Sequence, residues 1–184
     1  MTKTVLLWTT FAAIFAIAMI SSASASDTWL GVDNSVINYK GKNVQLLIDA
    51  ADTIPKNAGE GVLVGFGWFY ASGPDTVFAV TAHNPVRDSH QNPDKWHVHN
   101  VVASGSSDAA IADACIVSLS GYVQSGISIK GDKMQINTNQ NSLSGTLADG
   151  AGAFHIVVSD VACPNTTILA DDSDSGLNLG VKFQ

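Results

Sequence analysis

Two stretches decide the fold: Thr76-Val-Phe-Ala-Val-Thr-Ala-His83 and Trp96-His-Val-His-Asn-Val-Val-Ala103. Along the first, Phe78, Val80 and Ala82 fall on one side and Thr81 and His83 on the other. Along the second, Trp96 and Val98 oppose His97 and His99. Alternation with a period of two is the mark of an extended chain, whose successive side chains point to opposite faces. The twelve or so residues between the stretches are rich in Asn, Pro and Asp, which end strands and open loops. Paired as a hairpin across that loop, the two strands set His83 close to His97, since facing residues on adjacent strands lie about 5 Å apart.

Working outward, apolar residues recur in short runs cut by Gly, Asn, Asp and Pro, and no long stretch keeps a helical period. Candidate strands are 35–39, 44–50, 62–71, 76–83, 96–103, 114–120, 127–130, 133–137, 144–147, 153–159 and 177–183. Tyr39-Lys40-Gly41-Lys42, Ser72-Gly73-Pro74-Asp75 and Gly131-Asp132 carry turn chemistry between them. Residues 109–114 suit a helical turn, and 61–67 read as a strand whose glycines permit a bend or close packing. The expected fold is all-β: an antiparallel β-sandwich or partly closed barrel with a Greek-key-like path.

The N-terminus has the grammar of a secretory signal. Lys3 is followed by an apolar run from Val5 to Ile20 and by the small residues Ala23-Ser24-Ala25, which places cleavage after Ala25. The run is shorter than the roughly 20 residues needed to span a bilayer. Residues 1–25 are therefore expected to be removed, leaving 26–184 as a single β-rich domain, secreted or extracytoplasmic and without stable membrane insertion. The whole chain carries a net charge of −7, and loss of Lys3 makes it more negative still. No cluster of Lys and Arg offers a footprint for a phosphate backbone, so nucleic acid is excluded as a partner. Divalent or transition metal ions, or a basic protein, are favoured electrostatically.

Both cysteines, Cys115 and Cys163, lie in the mature part. Export and an even count point to one disulfide closing a long loop. Thiol coordination of a metal is the alternative, although no Cys-x-x-Cys or Cys-His spacing accompanies them. Asn165-Thr166-Thr167 is a formal glycosylation sequon.

The histidines carry the chemistry. His97-x-His99 in a strand puts two rings on one side, about 7 Å apart at the backbone, within reach of one Zn²⁺ or Cu²⁺. His83 is the expected third ligand, and His155 a fourth if its strand joins the same sheet. His90, Asp88 and Asp94 on the loop are candidates for a further ligand or for an acceptor that fixes a tautomer. Each histidine also has a plainer reading as a water-facing or hydrogen-bonded side chain. Trp96 reads as a core anchor. Asp171-Asp172-Ser173-Asp174-Ser175-Gly176 lacks the spaced carboxylate that would complete a calcium loop. No Gly-x-Ser-x-Gly elbow or phosphate-binding loop is present.

At Trp96-His97-Val98-His99 the chain resembles Cu/Zn superoxide dismutase, and a His-x-His strand also occurs in CHRD domains. The resemblance implies copper on His97 and His99 and a bridge between Cys115 and Cys163. It covers about a tenth of the chain. It does not extend to a metal-bridging ligand or a zinc loop, because no histidine lies between His99 and His155, and no arginine follows Arg87. The expected function is therefore a secreted, histidine-coordinated copper or zinc protein for storage, scavenging or redox chemistry. The rival is a metal-free extracellular module that binds a protein or glycan.

Overall fold

The computed structural model describes residues 28–57, 62–83, 95–120, 123–164 and 178–184. The leader, His90, Asp88, Asp94, the sequon at Asn165 and the acidic run 171–176 lie outside the described residues.

The described residues form ten strands: β1 (Val32–Lys40), β2 (Asn43–Ala50), β3 (Leu63–Tyr70), β4 (Gly73–His83), β5 (His97–Gly105), β6 (Ala114–Leu119), β7 (Ser125–Lys130), β8 (Lys133–Asn139), β9 (Gly152–Val158) and β10 (Leu179–Phe183). Two single-turn 3-10 helices, Thr28–Leu30 and Gln140–Ser142, complete them. Six strands close a barrel in the order β10-β6-β5-β4-β3-β9, and β1-β2-β8-β7 form a separate sheet, every pairing being antiparallel. Sandwich and barrel, posed as alternatives by the sequence, thus coexist. Long connections bring β8 beside β2 and β9 beside β3, the non-sequential neighbours of a Greek-key-like path.

Local chemistry explains the hairpins. β1 and β2 are joined by Gly41-Lys42, and β7 and β8 by Gly131-Asp132. Gly41 and Gly131 have φ of 61° and 64°, while no non-glycine among the described residues has positive φ. A left-handed glycine followed by an ordinary residue is the backbone of a type II′ turn, whose twist suits a two-residue hairpin. The turn expected at 72–75 sits earlier. Gly73 already pairs with Tyr70, so Ala71 and Ser72 make the reversal and Gly73, Pro74 and Asp75 open β4. The strand expected at 144–147 does not form; only Leu147 bridges to Tyr70. Residues 109–111 turn as expected, with the Ala112 amide donating to the Asp108 carbonyl.

Two cores result. The larger lies between the sheet and the barrel: Val44, Leu46 and Ile48 of β2 and Met134 and Ile136 of β8 pack with Phe66, Trp68, Phe78, Val80 and Val98 on the outside of the barrel. Trp96 anchors it, 7% exposed, stacked on Phe66 and donating its indole N–H to the Pro55 carbonyl at 2.8 Å. The smaller core fills the barrel with Ala79, Val101, Ile116, Phe154, Ile156, Leu179 and Val181. The middle of β3, the end of β4 and the start of β5 are therefore covered on both faces. Cys115 and Cys163 are joined, with Cα atoms 5.5 Å apart, and are buried beside Ala112 and Ala162. No helix among the described residues is long and apolar enough to cross a membrane.

Candidate metal centre

Register places the histidines. On β4 and β5 the partners are Thr81 with His97 and Ala79 with His99, while Leu63 of β3 faces His83. Ala79 and Val101 belong to the barrel core, so the same-face residues Thr81, His83, His97 and His99 point into the barrel. The sequence left this face free to meet water; instead His83, His97 and His99 are 7%, 1% and 4% exposed, and Thr81 is 5% exposed. The physical reason is closure. Once the barrel closes and the second sheet covers its outside, neither face of β4 or β5 reaches solvent around the three histidines. The small side chain of Ala79 leaves room for the imidazole directly across from it.

The three rings meet as the hairpin geometry requires. His83 and His97 have centroids 4.5 Å apart and His97 and His99 4.9 Å, both nearly perpendicular, and His83 lies 6.4 Å from His99. One ligand nitrogen from each ring lies within 4.8 Å of the others.

Hydrogen bonds set the tautomers. His97 Nδ1 donates to the Lys95 carbonyl at 2.9 Å and His99 Nδ1 to the Ser120 carbonyl at 3.0 Å. A carbonyl only accepts, so the proton sits on Nδ1 in both rings, and in the neutral imidazoles Nε2 bears the lone pair. Pinning Nδ1 to a main-chain acceptor orients the ring and fixes its tautomer, as for ligating histidines generally. His83 Nε2 lies 2.8 Å from His97 Nε2 and donates to it. Thr81 Oγ1 stands 3.5 Å from the same nitrogen.

The Ser120 carbonyl is itself held. Asn100 N donates to Ser120 Oγ and Ser120 N to the Asn100 carbonyl, both at 2.8 Å. The Asn100 side-chain carbonyl accepts from the Tyr70 hydroxyl, and its amide donates to the Ser142 carbonyl at 3.0 Å. Burial raises the pKa of Tyr70 above its ordinary value, the Ser144 amide bonded to its oxygen acting in the opposite sense, so the phenol stays protonated and able to donate. The ring of His99 is thereby tied through three elements to the segment around 142–144.

His155 does not join the group. Its neighbours Phe154 and Ile156 are in the barrel core, and His155 pairs with Val64, a member of the outer core, and with Lys182. It therefore leaves β9 on the face turned away from the triad, and the converging set is His83, His97 and His99. Thr81, Ser120 and Lys95 were not singled out by sequence. Thr81 shares the two-residue spacing with His83 that marks a common face, whereas the other two contribute carbonyls, which leave no side-chain signature.

Comparison of the chain with protein-family models, with curated proteins and with solved structures found no match. The donor set itself bears on what the site can hold. Ligands of a tetrahedral zinc at about 2.0–2.1 Å lie about 3.3 Å apart. Receiving an ion therefore requires His83 and His97 to part by a few tenths of an ångström and to give up the hydrogen bond between them. Three imidazoles suit zinc and copper rather than calcium or magnesium, which take oxygen.

Proposed function

We propose that this is a secreted protein that holds one copper or zinc ion on His83, His97 and His99, for storage, scavenging or redox chemistry. One observation carries the reading: three buried imidazoles offer ligand nitrogens within 4.8 Å of one another. Two of the rings are already held by Nδ1 bonds to the main chain in the orientation that exposes Nε2 to a shared ion. The local likeness to Cu/Zn superoxide dismutase at His97 and His99 points the same way, as does the signal-like leader together with a disulfide. A bound ion with an open position would supply Lewis-acid or one-electron chemistry. The chain's own part is to orient the rings and keep them apart from bulk water.

Metal analysis of protein purified without a histidine tag tests this. We expect one copper or zinc per chain, lost in a His97→Ala/His99→Ala double variant and kept in His155→Ala. Protein that stays metal-free after copper and zinc addition refutes the reading and leaves the metal-free interaction module, its imidazoles serving structural hydrogen bonds.

A further inference from the structure

We infer that Ser120 is the positioning residue for His99, its hydroxyl taking over a ladder bond so that its carbonyl can turn to the ring. As a statement about a metal ligand, the inference rests on the triad being a metal site. β5 and β6 run in register with Val101 opposite Leu119, which sets Asn100 opposite Ser120, one step beyond the last residue of β6. In a regular antiparallel ladder, a hydrogen-bonded pair exchanges both main-chain N–H···O=C bonds. Asn100 and Ser120 keep one of the two, the Ser120 amide donating to the Asn100 carbonyl at 2.8 Å. The other is made by the side chain: the Asn100 amide donates to Ser120 Oγ at 2.8 Å. The Ser120 carbonyl accepts His99 Nδ1 at 3.0 Å.

The physical reason for the exchange is direction. A ladder carbonyl lies near the plane of the sheet, while a side chain stands off that plane, and His99 stands on the face turned into the barrel. The Ser120 carbonyl therefore meets Nδ1 by tilting out of the ladder, which strands the Asn100 amide unless another oxygen takes the vacated place. A main-chain N–H left unpaired at a half-buried position is costly. The serine hydroxyl, on a short side chain from the same Cα, supplies the acceptor. Alanine offers no such oxygen, so the Asn100 amide draws the carbonyl back into the ladder and away from His99. Nδ1–H then loses the acceptor that held its tautomer, and fewer rings present an Nε2 lone pair to a shared ion. His97 takes its acceptor from Lys95, two residues back along the chain, so its tautomer does not depend on residue 120.

The test reads tautomer and affinity separately in the untagged parent chain, Ser120→Ala and Ser120→Thr. In the metal-free proteins, nitrogen NMR of the histidine rings should show His99 protonated on Nδ1 in the parent and in Ser120→Thr, which keeps a hydroxyl. Ser120→Ala should show a mixture of His99 tautomers. His97 should stay protonated on Nδ1 in all three, a contrast that a general loss of stability does not produce. Competition titrations with Zn²⁺ and with Cu²⁺ should show binding weakened at least about tenfold in Ser120→Ala and kept within about threefold of the parent in Ser120→Thr. A His99 tautomer as uniform in Ser120→Ala as in the parent, an unchanged affinity, or failure of Ser120→Thr to restore either overturns the positioning role and leaves the metal site standing. A parent that binds neither ion overturns the metal reading, and the tautomers still decide what Ser120 does. If Ser120→Ala does not fold, the other two proteins decide: His99 protonated on Nε2 in either overturns the inference, and on Nδ1 in both upholds it.

Discussion

The interior of the barrel can be probed at Gly65. A Cβ added there would fall 2.4 Å from Phe154 Cζ, 2.7 Å from its Cε2 and 2.9 Å from the Val80 carbonyl oxygen. Those separations are far inside van der Waals contact, and Phe154 is only 5% exposed, so its ring has little room to withdraw. Overpacking costs about 1–3 kcal/mol, and the main-chain oxygen puts Gly65→Ala near the upper end. Against this, Ala in a strand is favoured over Gly by about 0.5–1 kcal/mol. The net expectation is a loss of about 2 kcal/mol. Phe154→Ala alone should cost about 3–5 kcal/mol through the cavity it leaves. In the double variant two of the three close contacts disappear while the one to Val80 stays, so the combined loss should fall about 1–2 kcal/mol short of the sum. Urea unfolding with unchanged slope reads all three, with Gly65→Ala moving the midpoint by about 1 M. A Gly65→Ala protein as stable as the parent, or strict additivity, would refute the inward placement of Phe154 and with it the outward placement of His155.

Two further outcomes follow from the same structure. Cys115 and Cys163 are 48 residues apart in sequence, and closing a loop of that length restrains the unfolded chain by about 4 kcal/mol. A Cys115→Ala/Cys163→Ala variant should therefore lose about 2 M from its urea midpoint, and a shift below about 0.5 M would contradict the loop-closure account. Asp113 bonds Lys182 Nζ at 2.7 Å and accepts the Phe183 amide at 2.8 Å, and the lysine bond first, then the amide, lowers its pKa below the ordinary carboxylate value. A carboxylate whose folded pKa is depressed stabilises the fold above its unfolded pKa and loses that contribution as pH falls through the folded value. The stability difference between the parent and Asp113→Asn should thus be level from pH 5 to 7, about one unit and more above the unfolded pKa, and shrink steadily below the ordinary aspartate pKa of about 3.9. A difference that does not change with acid would count against the ion pair.

Much of this architecture is local and can be read directly from the chain. The alternation of Phe78, Val80 and Ala82 with Thr81 and His83 settles that these residues form a strand and that the two latter side chains share a face. Glycine at 41 and 131 settles the two-residue turns, because few other residues accept positive φ. The His97-x-His99 spacing commits two rings to one side, and the antiparallel hairpin brings His83 to them.

What lay beyond those residues was set at long range. Period-two alternation distinguishes two faces without saying what packs on either, so the burial of the histidines depended on barrel closure through β9, while β2 and β8 cover the opposite face of the same strands. The exclusion of His155 came from its register against Val64, and the carbonyls of Lys95 and Ser120 that orient two of the rings belong to the main chain, which the sequence pattern does not mark. The amino-acid sequence by itself determined the extended strands, their tight turns and the shared face of three imidazoles. Tertiary structure alone decided that this face turns inward, because a side chain's solvent depends on which distant segments come to lie over it.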